Sequence, residues 1–221
     1  MTPVVCLITD RRRTDAGDDD AVVALVGRAA RAGVHLIQVR ERDLDGGPLL
    51  RLVRRCVEAS RGTGARVIVN DRLDVALAAG AHGVHLRERS MPAPRVRAIA
   101  PREFLVGRSV HGAAEAAAVS AAGGLDYLLF GTVFETPSKH GRQAAGAAAL
   151  ARAVAATPLP VIAVGGIGLD RMLEVGATGA AGVAAIGLFA EAPATDTALD
   201  DLLAAGRAAF AAGRAAALRE P

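Results

Sequence analysis

The chain predicts a single (β/α)8 barrel, and three observations carry that prediction. Short apolar runs rich in β-branched residues alternate with longer helical patterns, which is the mark of parallel βα units. Eight such units of about 25 residues fill a chain of 221 residues, the usual size of one barrel domain. The glycine-rich turns come late, after the sixth, seventh and eighth apolar runs. An open doubly wound sheet places its glycine fingerprint after the first strand, where this chain has Thr9-Asp10 and three arginines.

Taken in order, strands are expected at Val4 to Thr9, His35 to Val39, Arg66 to Val69, Gly83 to Leu86, Phe104 to Ser109, Tyr127 to Phe130, Pro160 to Val164 and Gly182 to Ala185. Helices are expected near 19 to 32, 46 to 61, 72 to 79, 92 to 100, 112 to 122, 145 to 156, 169 to 176 and 196 to 217, with a short one after Ile186. Asp18-Asp19-Asp20 reads as a capping run at the positive end of the first helix dipole. No linker or low-complexity stretch divides the chain, so residues 1 to 221 form one domain, which the last helix closes.

Composition narrows the function. Basic residues number 26 against 23 acidic, for a net charge of +3, and aromatics are 3% with no Trp. That is a mixed surface with few stacking platforms, which argues against nucleic-acid binding. No apolar stretch reaches the ~20 residues of a membrane span. No secretory signal is evident at Met1-Thr2-Pro3, and Cys6 and Cys56 form no CxxC pair, so reduced thiols and a cytoplasmic location are expected. Homo-oligomerisation stays open.

In a barrel, function lies at the C-terminal ends of the strands. The sixth run ends in Gly131-Thr132-Val133-Phe134-Glu135-Thr136-Pro137-Ser138-Lys139-His140-Gly141, where two hydroxyls and an ammonium can face one anion. After the second run, Gln38, Arg40 and Arg42 share one strand face; the guanidiniums either clamp phosphate or pair with Glu41 and its neighbours. After the third, Asp71 suits Mg2+ bridging to phosphate and Asn70 a heterocycle edge, unless both cap the next helix. Ser90 reads as a cap, and Arg87 or Arg89 as a solvent charge. Ser109 can donate to phosphate, and His111 is either a general acid/base or a helix cap. Gly165-Gly166 and Ala185-Ile186 offer backbone amides to an anion. His35, His82 and His140 show no metal spacing and take structural roles by default.

Six stretches of the chain, Gln38-Val39-Arg40-Glu41-Arg42, Val69-Asn70-Asp71-Arg72 with its continuation to Ala78, Gly83-Val84-His85-Leu86, Gly107-Arg108-Ser109-Val110-His111, the Gly131 to Lys139 loop and Val161-Ile162-Ala163-Val164-Gly165-Gly166-Ile167, occur in the order seen in the thiamine phosphate synthase/TenI family. The chain resembles that family over roughly residues 4 to 190. The resemblance implies an α/β barrel enzyme that joins hydroxymethylpyrimidine diphosphate to thiazole phosphate and releases diphosphate. It implies that Gln38, Arg40, Asn70, Asp71, Ser109 and Lys139 hold the pyrimidine diphosphate and its Mg2+. Thr136, Ser138, Gly165-Gly166 and Ala185-Ile186 would hold the thiazole phosphate. Three positions depart from the family patterns. A second Mg2+-binding aspartate of the synthases is Ser90 here, the family lysine is Arg42, and the histidine of the TenI-like thiazole tautomerases is Thr132. A tautomerase would then need His111 as its base with Glu135 assisting. The third reading is a non-catalytic binder of a phosphorylated metabolite.

Overall fold

A computed structural model describes residues 2–14, 18–136, 144–192 and 195–219. Ser138, Lys139 and His140 lie outside the described residues. Eight parallel strands close into a barrel in sequence order: β1 (Val4–Ile8), β2 (Leu36–Val39), β3 (Arg66–Asn70), β4 (Gly83–Leu86), β5 (Leu105–Val110), β6 (Tyr127–Phe130), β7 (Val161–Val164) and β8 (Gly182–Ala185). Around it lie α1 (Asp19–Arg31), α2 (Gly46–Ala59), α3 (Leu73–Ala78), α4 (Ala93–Ile99), α5 (Ala113–Ala121), α6 (Gly146–Ala155), α7 (Met172–Ala177), the short α8 (Gly187–Ala190) and α9 (Asp196–Ala217). The expected strands and helices are therefore all present, with ends shifted by one to three residues; the largest shift is at α7, which a 3-10 turn over Leu169–Arg171 precedes.

Period-2 alternation divides each strand between two cores. Cys6, Ile8, Leu36, Ile68, Tyr127, Leu129, Ile162 and Ala184 fill the barrel interior, while Val5, Leu7, Ile37, Val67, Val69, Val84, Val106 and Leu128 belong to the core under the helices. Apart from Tyr127 the interior side chains are aliphatic or small, so the barrel closes on Ile, Leu, Cys and Ala around one aromatic ring. Both cysteines are buried and free, and burial pushes each thiol up to about 12. They are inert packing groups.

Local signals explain the helix ends. Asp18 caps α1 by accepting from the Ala21 amide at 2.8 Å, with Asp19 and Asp20 in the first turn, as the acidic run predicts. Thr195 does the same for α9 through the Ala198 amide. The buried face of α9 is Leu199, Leu203, Gly206, Phe210 and Gly213, a helical stripe. A Cβ on Gly213 would stand 1.9 Å from the Leu173 carbonyl oxygen, so glycine is what lets α9 lie against α7.

The barrel is built from four like units, each a pair of strands. Ala32-Gly33-Val34-His35 before β2 and Ala79-Gly80-Ala81-His82 before β4 are matched by Gly124-Leu125-Asp126 before β6 and Gly179-Ala180-Ala181 before β8. Gly33, Gly80, Gly124 and Gly179 all have positive φ. The residue two places after each glycine donates its amide to the preceding strand: His35 to Val5, His82 to Val67, Asp126 to Val106 and Ala181 to Val161. In three units its side chain accepts the returning amide as well. Val5 N donates to His35 Nδ1 at 3.1 Å, Val67 N to His82 Nδ1 at 3.0 Å and Val106 N to Asp126 Oδ2 at 2.7 Å. His35 and His82 are thus structural, as expected.

Two predictions follow from this geometry. His82→Ala is expected to cost about 1–3 kcal/mol, since it leaves the Val67 amide without its acceptor; a urea titration measures it. Burial lowers the His35 and His82 pKa values from 6.5, with Arg207 and Arg66 adding to the shift. The unfolded chain then binds more protons than the folded one below about pH 6.5, so this stability is complete above that pH and is lost as pH falls toward the folded values. The urea midpoint should drop between pH 7.5 and 5. In His82→Asp, which copies Asp126 and faces Arg66, the drop should be smaller. A flat wild-type profile would refute this account.

Candidate active site

The site sits at the C-terminal mouth of the barrel, where the inward-facing positions turn polar. Along β2 the parity that buries Leu36 in the interior also brings Gln38 and then Arg40 inward. Gln38 is 2% exposed and donates through Nε2 to Asn70 Oδ1 at 3.0 Å, and its Oε1 is buried with no partner among the described residues. A buried amide oxygen without a donor is costly unless a ligand supplies one. Asn70 does not cap α3. The residue before that helix, Arg72, makes no capping bond, and its guanidinium pairs with Asp74 at 2.6 Å.

Asp71 has φ +62°, and the Arg72 amide bonds back to the Asn70 carbonyl at 2.8 Å. This left-handed residue costs roughly 1–3 kcal/mol, a strain that concentrates at functional sites. The turn aims the Asp71 carboxylate toward the β4 loop. There Oδ1 accepts from Ser90 Oγ, and Oδ2 lies 3.4 Å from an Arg87 guanidinium nitrogen. Ser90 is therefore not a helix cap, and Arg87 is not a bare solvent charge. The expectation for both failed because their partner arrives from a neighbouring strand.

Arg40 and Arg42 make no ion pair among the described residues. Glu41, 5% exposed, is committed elsewhere. Its Oε1 accepts from Thr9 Oγ1 at 2.6 Å and its Oε2 from the Arg11 amide at 3.0 Å, while Thr9 Oγ1 accepts from the Arg40 amide at 3.0 Å. That network ties β1 to β2 and closes the salt-bridge reading of Arg40. Burial lowers the Arg40 pKa, with Arg42 and Arg87 adding to it and Asp10 and Glu41 opposing; burial and Arg87 lower that of Arg42, with Asp71 opposing. Three guanidiniums thus sit within electrostatic reach of one another, which is an anion site by construction.

Opposite them, Ser109 on β5 is held by His85. His85 is 1% exposed, its Nε2 lies 2.9 Å from Ser109 Oγ and its Nδ1 lies 3.2 Å from Tyr127 Oη. Burial, with Arg108 adding to it, lowers the His85 pKa to about 3, so the imidazole is neutral. The geometry fits a chain in which Tyr127 donates to Nδ1, Nε2–H donates to Ser109, and the Ser109 proton is left for an anion. The Tyr127 ring fits only because Gly107 faces it across the β5–β6 pair; a Cβ there would be 2.0 Å from the ring. His111 lies at the exposed rim. Its amide donates to Glu115 at 2.8 Å and its Nδ1 donates to the Gly131 carbonyl. The ring caps nothing, and Nε2 stays available.

On the β7 side, the Val133 and Phe134 amides bond to the Val164 and Gly165 carbonyls at 3.0 Å each, docking the β6 loop. Gly166 has φ +64° and lies against that loop, where a Cβ would stand 2.3 Å from the Glu135 oxygen. The amides of Gly165 and Gly166 have no acceptor among the described residues. Ala185 ends β8 and Ile186 packs on the interior cluster. Thr136 stands at the edge of the described loop, Ser138 and Lys139 beyond it. Thr132 Oγ1 is buried without a partner.

Sequence reading missed Tyr127, the His85 link to Ser109, and Arg87. A signal for two of them was available. Gln38-Val39-Arg40-Glu41-Arg42 and His85-Leu86-Arg87-Glu88-Arg89 occupy equivalent places in the repeat, so His85 and Arg87 inherit the inward parity of Gln38 and Arg40.

Comparison with known proteins places the chain among its relatives. The thiamine monophosphate synthase family model matches residues 5–189. The chain is 43% identical over 181 residues to a putative thiamine-phosphate synthase of Geobacter sulfurreducens, covering 81% of this chain and 83% of the relative. It is 42% identical over 197 residues to the thiamine-phosphate synthase of Anaeromyxobacter dehalogenans, covering 88% and 85%. The thiamine phosphate pyrophosphorylase structure from Pyrococcus furiosus superposes with a TM-score of 0.80 at 31% identity, covering 93% and 96%. With the barrel, the family model and these relatives in agreement, the chain belongs to the thiamine monophosphate synthase family.

Proposed function

We propose that the protein joins hydroxymethylpyrimidine diphosphate to thiazole phosphate, forming thiamine phosphate and diphosphate. The observation that carries this reading is the pair Arg40 and Arg42, two guanidiniums at the barrel mouth that make no ion pair among the described residues. They stand beside an amide pair, Gln38 and Asn70, whose one unpartnered buried oxygen suits a heterocycle amino group. The relatives carrying the synthase name favour this over the tautomerase. The Thr132 hydroxyl cannot substitute for an imidazole base, which points the same way.

The residues divide the work as the chemistry requires. Gln38 and Asn70 read the pyrimidine edge. Arg40 and Arg42, with Ser109 donating and Lys139 of the β6 loop, take up charge on the leaving diphosphate as the pyrimidine CH2–O bond breaks and the thiazole nitrogen closes on the same carbon. The free amides of Gly165 and Gly166, with Thr136, Ser138 and the Ala185-Ile186 turn, hold the thiazole phosphate and keep its ring in line with that carbon. No protein nucleophile takes part, and the neutral His85 keeps the Ser109 proton directed outward.

The described residues of this site fit the family metal, Mg2+, poorly. Asp71 is an oxygen donor set in a strained turn facing the mouth, and Mg2+ is commonly held by one or two carboxylates plus substrate phosphates. Asp71 is the residue that would hold it, but its Oδ1 accepts from Ser90 and its Oδ2 faces Arg87, so guanidiniums meet the charge of the departing diphosphate. Among the described residues no group of three metal-binding side chains occurs.

The test is direct. Purified protein with pyrimidine diphosphate, thiazole phosphate and Mg2+ should yield thiamine phosphate; a folded protein giving no product above a boiled control would sink the reading. Isomerisation of the thiazole carboxylate phosphate by the same preparation, lost in His111→Ala, would instead support the tautomerase. Among the described residues no helix is long and apolar enough to cross a membrane, and we place the reaction in the cytoplasm.

A further inference from the structure

We infer that Arg87 is a third diphosphate-binding guanidinium, and that together with Ser90 it stands in for a second metal-binding carboxylate, so that the site holds a diphosphate group without a divalent cation. The inference rests on the proposed reading of this mouth as the diphosphate site.

The β4 loop is shaped to present Arg87. Ser90 N donates to the Arg87 carbonyl at 3.1 Å, and the Arg87 amide donates to Ser90 Oγ at 2.7 Å, so the turn is closed in both directions. Ser90 Oγ spends its own proton on Asp71 Oδ1. One small hydroxyl therefore locks the turn, orients Asp71 and brings the guanidinium to the mouth. In the repeat Arg87 is the counterpart of Arg40, two residues beyond the inward His85 as Arg40 is two beyond the inward Gln38.

The contact between Arg87 and Asp71 is loose. At 3.4 Å, with both side chains partly in solvent, it is longer than the 2.7–2.9 Å of a charge-assisted hydrogen bond. A phosphate oxygen offers Arg87 a shorter bond and a second negative charge, so exchange of Asp71 for the ligand is favourable. Arg40, Arg42 and Arg87 also oppose one another electrostatically in the free protein; an anion turns that repulsion into shared attraction. For a divalent cation the same arrangement is poor. Ser90 supplies no negative charge, and Arg87 places a positive one beside Asp71.

Inorganic pyrophosphate is the probe, titrated calorimetrically into the full chain in EDTA and again in Mg2+. Wild-type protein is expected to bind in EDTA with a Kd within about tenfold of the Mg2+ value, as guanidinium–phosphate bonds are strong. Arg87→Gln should weaken binding in EDTA by about tenfold or more, whereas Arg89→Gln, the next arginine of the same exposed loop, should change it less than about twofold. Ser90→Asp should weaken binding in EDTA and make it Mg2+-dependent. Pyrophosphate binding only with Mg2+, a loss under tenfold in Arg87→Gln, or an equal loss in Arg89→Gln would each overturn the inference. Thermal melts of each variant exclude misfolding. Should the synthase assay fail while the Arg87 dependence in EDTA holds, the proposed reaction falls and the anion site stands; product formation with an indifferent Arg87 means the reverse.

Discussion

Arg40→Met is expected to lower kcat/KM for thiamine phosphate formation by about 10²–10³, the usual cost of removing one preorganised group that meets developing transition-state charge. Arg40 is half-buried, its amide is pinned by Thr9 and its guanidinium makes no ion pair among the described residues. The folded protein therefore holds that charge at a cost, through burial and the nearness of Arg42 and Arg87, which Asp10 and Glu41 offset without cancelling. Methionine removes both terms while filling similar volume, so the thermal midpoint should stay level or rise as activity falls. Arg40→Lys should fall between, because an ammonium cannot form the paired bonds of a guanidinium. Steady-state kinetics with a melt on the same samples gives the result. A loss under threefold would remove Arg40 from the reaction.

Gly107→Ala is expected to give the largest stability loss at the site, about 3 kcal/mol or more, which in a chain of this size is a melting shift of roughly 6–12 °C. A methyl there would lie 2.0 Å from Tyr127 Cζ and 2.3 Å from its hydroxyl oxygen. The ring would have to leave the barrel interior and its place beside His85. Tyr127→Phe separates the two effects, keeping the packing and removing only the hydroxyl, and should cost about 1–2 kcal/mol. In Gly107→Ala with Tyr127→Ala the losses should be less than additive, since the clash needs both groups. Full additivity across that cycle would mean that the two do not meet in solution.

The part of the site legible in the sequence is the part written within one strand. Gln38, Arg40 and Arg42 declare their common face by spacing alone, and Asn70-Asp71 announce themselves by following three apolar residues. What stayed hidden was every partnership between strands. Glu41 looked like a salt-bridge partner for Arg40 and is spent on Thr9 and the Arg11 amide. Ser90 looked like a cap and answers Asp71, nineteen residues away in the chain. Tyr127 looked like packing and supports the histidine under Ser109.

By itself the sequence determined the barrel, its eight units and the end of the barrel where the chemistry lies, because periodicity and turn residues are local properties set by backbone geometry. Only the tertiary structure decided which charges are spent and which are left free. Barrel closure brings β1 beside β2 and β3 beside β4 at hydrogen-bonding range, and a carboxylate satisfied across that gap is no longer available to a guanidinium next to it in the chain.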